Sequence, residues 1–425
     1  MNLWRRQSLL VKIMVAVVLG IVLGLILQDN AKYLAPVGDI FLALLKFLVV
    51  PIVIATLLAG ILQMQSVTDL GRIGARFFGY LVVTSLLAAA IGVAVALVIR
   101  PGKNVDLSGL GAEEAPEPEK YSVVDTVVGW VPDNYFSAMA DANMVPLIIG
   151  TIIIGVAVLM VGRQRAPHVF ALIEQISEIV LKVTSMIIAL SPYGIFALVA
   201  VLIGTTGAET LVAAAKFVVA DYIAVLLVAG LVYPATLLLF GRLNPLTFYR
   251  NALPATVFAM STASSSATIP VSTKIAQENL GASRSIFGFT IPFGATANMD
   301  GFAAALGVIA ILAADVAGQP ITFGYVAQVV LLGLVLSLGA AGVRGAGIVM
   351  SAVLLQSLGL PMTILPLLAA IWPIIDIAHT GLNVTGDLNG TTVVAAQSKE
   401  LDRKVFNSRN SQRRSAVSDE SVREL

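Results

Sequence analysis

The stretch IWPIIDIAHTGLNVTGDLNGT, Ile371 to Thr391, decides how the rest of the chain is read. It has the apolar character of a membrane helix, yet it carries Asp376, His379, Asn383 and Asp387. At 3.6 residues per turn these four share one stripe. A carboxylate placed in hydrocarbon costs about 3 kcal/mol on insertion scales unless it meets a cation, a polar partner or water. Two on one stripe imply a polar cavity, and the stripe reads as one wall of a binding site.

Composition sets the class. Of 425 residues 58% are hydrophobic and only 12% charged, with a mean hydropathy of +0.92. A soluble domain has a smaller apolar share and about twice the charge, so the chain is expected to be an all-α polytopic membrane protein. The net charge of +1 leaves no electrostatic footprint for nucleic acid. Cysteine is absent, which excludes disulfides, thiolate metal sites and thiol catalysis. The first apolar segment, Leu9 to Leu27, has no evident cleavage site and is followed by many more, so it reads as a span and not a signal peptide.

Further spans are predicted at Ile40–Leu62, Phe77–Ile99, Val145–Met160, Val169–Leu190 and Val212–Phe240. The pattern then changes. Two half-length apolar arms between Leu253 and Ala276 flank the tip STASSSA, Ser261 to Ala267, a length suited to a re-entrant hairpin. The span Ser285–Ala314 is interrupted by Ala297-Asn298-Met299-Asp300-Gly301, which reads as a broken helix facing a cavity. Two more half-length arms, Val326 to Leu358, flank a glycine-rich tip, Gly339 to Gly347, that contains Arg344. Arg5, Arg6, Arg72, Arg76, Arg163, Arg165, Arg242, Arg250 and the tail through Arg414 fall on one side, which predicts cytoplasmic termini. The acidic connection Pro101–Lys120 then lies outside, and the polar tail from Ser398 is expected to be partly disordered.

Asn298-Met299-Asp300-Gly301 in a broken helix, a serine-rich hairpin before it, a glycine-rich hairpin after it, and Asp376 with Asn383-Val384-Thr385-Gly386-Asp387 closely resemble the glutamate transporter family, the dicarboxylate/amino acid:cation symporters. Tyr80 to Ser85, Asp133-Asn134 and Pro192-Tyr193-Gly194-Ile195-Phe196 extend the likeness over most of the chain. The resemblance implies eight transmembrane helices and two re-entrant hairpins built from inverted repeats. It also implies a homotrimer in which a mobile transport domain slides against a static scaffold. Scaffold is expected at 1–76, 133–168 and 169–205, and an extracellular loop at 101–132. The transport domain would comprise 77–100, 206–250, hairpin 1 at 251–283, the broken helix at 284–318, hairpin 2 at 319–360 and the last helix at 361–398; a cytoplasmic tail at 399–425 ends the chain.

The same resemblance implies Na⁺ sites and no organic cofactor. One uses carbonyls of Gly294, Asn298 and Asn383 with the carboxylate of Asp387; a second uses Thr84, Ser85, Asn298 and Asp300, with Leu81 beside them. A third uses carbonyls at Thr296, Ser337, Leu338 and Ala340. The chemistry suits a hard cation, which wants oxygens, and unwound backbone supplies spare carbonyls. A structural pairing of Asp300 and Asp387 with a helix cation is the competing reading, but no Lys or Arg lies in the neighbouring spans.

For the substrate, the resemblance implies that Asp376 holds an α-ammonium, while Ser264, Ser265, Ser266 and Asn383 take the α-carboxylate, with Thr380, Val343 and Gly347 lining the site. Tight packing of small side chains is the alternative for the serines. Members specific for aspartate or glutamate carry an arginine where this chain has His379, and a threonine where it has Phe302. A neutral amino acid is therefore the first expectation, and restoring arginine at 379 is expected to shift preference toward acidic substrates. Arg344 offers the alternative of a relocated guanidinium for an acidic amino acid or dicarboxylate. Lys216 and Asp221 read as structural, pairing with each other or reaching the interface, and His168 as a surface residue. A substrate-gated anion channel is the competing class. An enzyme is disfavoured, because no base–nucleophile pair, metal cluster or phosphate loop is present.

Overall fold

The computed structural model of the chain describes residues 9–62, 70–103, 131–141, 144–206, 209–340 and 346–408, and almost all of them are helical. Among the described residues, five helical runs are long and apolar enough to cross a membrane: Val11–Phe41, Ile73–Ile99, Val212–Gly241, Arg284–Val316 and Met362–Gln397. The fold is that of a polytopic helical membrane protein.

The chain begins with α1 (Leu9–Leu27) and α2 (Ala35–Leu62), followed by α3 (Leu70–Ile99), the short α4 (Tyr135–Ala140) and α5 (Met144–Val161). The fifth predicted span is α6 (Pro167–Ala189), and at its end the axis bends by 49° into α7 (Ser191–Thr206). Ser191-Pro192 lies at that bend, where the proline ring disfavours helical geometry in the residue before it.

The sixth span opens as α8 (Glu209–Leu227) and then passes through π-helical turns at Val228–Val232, the helical turn α9 (Tyr233–Thr236) and further π turns at Leu237–Gly241. Pro234 has no N–H to give the preceding turn, and a π turn absorbs the mismatch. The Tyr249 hydroxyl donates to the Ala229 carbonyl inside this irregular stretch.

The serine-rich hairpin is α10 (Pro245–Thr262) and α11 (Ser265–Glu278), reversing at Ala263 in the left-handed region (φ 47°). Its base is closed by reciprocal amide bonds: Asn251 Nδ2 to the Asn279 carbonyl (3.0 Å) and Asn279 Nδ2 to the Asn251 carbonyl (3.2 Å). The predicted broken span is α12 (Arg284–Ala297) and α13 (Asp300–Ala317), with Asn298 and Met299 non-helical between them. The arms of the second hairpin are α14 (Phe323–Leu338) and α15 (Ala346–Ser357); most of its tip, including Val343 and Arg344, lies outside the described residues.

The decisive stretch sits within α16 (Leu365–Gln397), which falls within the expected 361–398 and continues through Pro373. Helices α13 and α16 are the buried axis: every residue from Asp300 to Ala314 is buried, as is nearly all of α16. Close approach of α3 to α13 depends on glycine. A Cβ on Gly92 would lie 2.0 Å from the Ala304 carbonyl oxygen, and one on Gly307 would lie 2.6 Å from that of Ala89. Small residues let membrane helices approach at backbone distance, where dispersion rather than the hydrophobic effect holds them. Helix α1 meets α7 in the same way, through Gly20 and Gly24.

The start of the tail, residues 398–408, is ordered; the rest of it lies outside the described residues. Residues 398–408 return to the base of the serine-rich hairpin and end in α17 (Arg403–Asn407), with Phe406 buried and its carbonyl accepting from Asn251 Nδ2 (2.8 Å). Asp402 caps α17, Arg76 bonds the Ser398 hydroxyl (2.9 Å), and the carboxylate of Glu400 accepts from Ser283 (2.5 Å) and Ser285. These two hydroxyls hold the Glu400 carboxyl below its usual range. Buried Phe406 and these side-chain anchors hold this polar segment in place. His168 is exposed, as expected.

Candidate functional site

The helix break is where the polar side chains gather. Asn298 is in an extended conformation and α13 starts at Asp300, so this carboxylate sits in a helix's first turn, where the macrodipole favours negative charge. The Gly301 N–H turns to Asn383 Oδ1 (2.8 Å). Asn298 Nδ2 reaches both the Asn383 carbonyl (3.2 Å) and Asp387 Oδ1 (3.0 Å). Asn383 Nδ2 donates to the Met299 sulfur at 3.1 Å. Asp300 accepts from Ser85 Oγ (2.9 Å) and from the Tyr233 hydroxyl (3.0 Å), which also lies 3.1 Å from the Leu382 carbonyl oxygen. Thr84, Ser85, Asn298 and Asp300 are all fully buried, and Leu81, also buried, offers its carbonyl to Thr84 Oγ1 (3.3 Å).

Two features fit this cluster to a hard cation. Asn298 Oδ1 is buried with no hydrogen-bond partner, an acceptor of the kind an ion satisfies. Gly294 lies so close to Asp387 that a Cβ there would stand 2.4 Å from Oδ1, so its backbone is open to the same carboxylate. Among the described residues, Arg100–Asp315 and Arg163–Glu174 are ion pairs and Asp221 meets His379, and none of these contacts involves Asp300 or Asp387. The predicted first and second ion sites are thus brought together around one break. Of the third set, Thr296 and Leu338 line one cavity of about 210 Å³ together with Leu57, Phe78, Ile152 and Phe293. Ser337 is buried and donates to its own helix at the Leu334 carbonyl, and Ala340 is buried just past the end of α14.

Apart from Val343 and Arg344, which lie outside the described residues, the predicted substrate residues fall on α13, α15, α16 and α11 with its cap. Ser264 caps α11 through the Ala267 N–H (3.2 Å), Ser265 is buried, and Ser266 is half-buried. The serine-rich hairpin is held to α16 by the Thr256–Thr385 hydroxyl pair (2.7 Å). Thr380 donates to the Asp376 carbonyl (2.8 Å), a bond within its own helix. Phe302 and His379 both pack edge-on against Trp372, at centroid distances of 6.0 and 5.8 Å. Gly347 at the head of α15 abuts this cluster, since a Cβ there would come within 1.8 Å of the Trp372 ring.

The structure corrects one expectation directly. Asp221 is not paired with Lys216, which is exposed; it is wholly buried and meets His379 Nε2 at 2.9 and 2.8 Å through both carboxylate oxygens. An ionisable residue inside an apolar run is a signal in its own right, but the lysine five positions earlier supplied a nearer partner. Tyr233 was also missed. It is one residue in an apolar span, and only the neighbouring Pro234 hinted at irregular backbone there.

The chain is thus a set of packed apolar helices interrupted at a buried, oxygen-rich polar cluster. It belongs to the sodium:dicarboxylate symporter family, whose model matches residues 9–397, and members of that family are transporters, not enzymes. It is 33% identical to the proton/glutamate-aspartate symporter of Escherichia coli (strain K12), over 87% of this chain and 86% of that one. Against the proton/sodium-glutamate symport protein of Geobacillus stearothermophilus identity is 31%, over 84% and 86%. The L-cystine uptake protein TcyP of Bacillus licheniformis is 27% identical, over 88% and 84%.

Proposed function

We propose that the chain is a Na⁺-coupled symporter that imports a small neutral amino acid by an elevator-type mechanism. One observation carries the coupling: two buried carboxylates, Asp300 and Asp387, flank an orphaned amide oxygen at a helix break, and no described basic side chain neutralises them. Uncompensated charge of this kind is costly, and a bound monovalent cation removes the cost. The name of the Geobacillus stearothermophilus relative includes sodium, which supports the choice of ion.

In this reading Na⁺ binds first and fixes Asn298, Asp300, Asn383 and Asp387 around the break. The substrate follows, its ammonium on Asp376 and its carboxylate on the Ser264–Ser266 tip and Asn383. The second hairpin closes through Gly347 against Trp372, and only the fully loaded or empty state lets α3 and α8–α16 move as one body. Coupling follows because ion and substrate both favour the closed arrangement over the open one. Helices α1, α2 and α5–α7 form the static scaffold of a homotrimer in the plasma membrane, with both termini cytoplasmic.

Neutral substrates are favoured because His379 stands where acid-specific members carry arginine. The names of the relatives leave the choice between acidic and neutral substrates to experiment, and Arg344 keeps an acidic amino acid or dicarboxylate as the second reading. A competition panel in proteoliposomes tests both. Uptake is expected to require an inward Na⁺ gradient and to be blocked by neutral amino acids. Uptake that persists when K⁺ replaces Na⁺ overturns the coupling; preferential block by aspartate, abolished in Arg344→Ala, overturns the substrate reading.

A further inference from the structure

The His379–Asp221 contact is used by nothing above. Asp221 comes from α8 and His379 from α16, 158 positions apart, and they are 0% and 2% exposed. One residue along α8, the Tyr222 hydroxyl donates to the Ile374 carbonyl (2.8 Å), so the two helices are registered at this level by a second, independent bond. A carboxylate only accepts, so a single proton shared between it and Nε2 links the pair. With the carboxylate ionised, the pair carries a charge of −1 when the imidazole is neutral and zero when it is protonated, so it adds no net positive charge.

We propose that Asp221 is a specificity-determining positioning residue: it holds the imidazole of His379 and cancels its charge, so that position 379 selects an uncharged hydrogen-bonding side chain and rejects an acidic one. The inference rests on the amino-acid symport reading above and says which side chain that site takes. Asp376 lies one turn before His379, and with Asp221 ionised the His379–Asp221 pair adds no net positive charge beside it. Position 379 therefore offers no cation to a second carboxylate. Lys216, on the same helix as Asp221, is exposed and leaves this balance unchanged.

The tether also sets which atoms remain for a ligand. With Nε2 committed, His379 Nδ1 is buried without a partner, and so is Trp372 Nε1 in the ring packed against it. Two orphaned polar atoms in adjacent rings cost stability until something satisfies them. An indole N–H donor beside an imidazole nitrogen complements a hydroxyl or a carboxamide, and Phe302 supplies an apolar wall. Gly301 makes room, since a Cβ there would come within 2.7 Å of the His379 Cα.

The proposal changes what arginine at 379 does. With Asp221 in place, a guanidinium is captured by the nearer carboxylate in a bidentate pair and is not offered to the substrate. The test is a double-mutant cycle read as inhibition of uptake by aspartate, serine and glutamine, on wild type, Asp221→Asn, His379→Arg and the double variant. His379→Arg alone is expected to improve aspartate inhibition by less than about threefold, and Asp221→Asn with His379→Arg by about tenfold or more, one charged hydrogen bond's worth. Asp221→Asn alone is expected to raise the KM for the neutral substrate while leaving half-activation by Na⁺ in place, a split that loss of packing does not produce. An equal gain for aspartate in His379→Arg with and without Asp221 overturns the proposal, and so does a parallel loss of Na⁺ and substrate affinity in Asp221→Asn. His379→Arg keeps a partner for Asp221 and reads out even where Asp221→Asn does not fold: a tenfold gain in it alone overturns the proposal, and a gain below threefold supports it. The symport reading fails separately, through the wild-type panel and its Na⁺ dependence.

Discussion

Gly92→Ala tests how the proposed ion cluster is held. The new Cβ would stand 2.0 Å from the Ala304 carbonyl oxygen, a backbone atom that cannot rotate away. Restoring an ordinary contact of about 3.3 Å requires α3 and α13 to separate by roughly 1.3 Å. Ser85 lies seven residues, two turns, from Gly92 on the same face of α3. Its 2.9 Å bond to Asp300 would then stretch to roughly 4 Å, beyond hydrogen-bonding range. Overpacking costs about 1–3 kcal/mol of stability. A lost bond to a charged group costs about 1.5 kcal/mol or more, enough to raise the half-activating Na⁺ concentration about tenfold. The assay is Na⁺ activation of uptake in proteoliposomes together with thermal melting. Gly79→Ala is the control on the same helix, because a Cβ there meets nothing within 4 Å and alanine is the better helix former. Matching Na⁺ curves and melting points for the two variants would refute the claim that backbone contact between α3 and α13 sets the ion site.

Asp387→Asn keeps the shape of the side chain but removes its charge, and is expected to weaken Na⁺ activation at least about tenfold while the protein remains foldable; a titration of uptake against Na⁺ checks this. Gly347→Ala places a methyl against the Trp372 ring, which is predicted to raise the KM for substrate and spare Na⁺ binding, with Trp372→Phe giving partial rescue. Glu400 has a depressed carboxyl in the folded chain, so its contribution to docking of residues 398–408 is complete above its usual value of 4.5 and fades as pH falls through the lower folded value. Hydrogen exchange across that strap, compared with Glu400→Gln, is expected to converge in acid and diverge at neutral pH.

How far the sequence reached depended on whether a signal was local. Half-length arms around STASSSA, and the polar interruption at Asn298-Met299-Asp300, break an apolar pattern within a few residues, and both appear as non-helical points between helices. The residues gathered around that break were legible for the same reason: a carboxylate in an apolar run has few cheap explanations. Partners were not legible. Tyr233 reaches Asp300 from 67 positions away and Asp221 reaches His379 from 158, and nothing in either neighbourhood fixes which helix face meets which. The nearest opposite charge in sequence, Lys216, was the wrong partner for Asp221, because that lysine points to the exterior while α8 turns its acidic face inward against α16. The consequence reaches function. Position 379 taken alone predicts that arginine restores acid recognition, whereas position 379 with its buried counter-charge predicts that it does not. On the proposed pairing, substrate choice at position 379 is a property of two helices, and a pair of substitutions is needed to move it there.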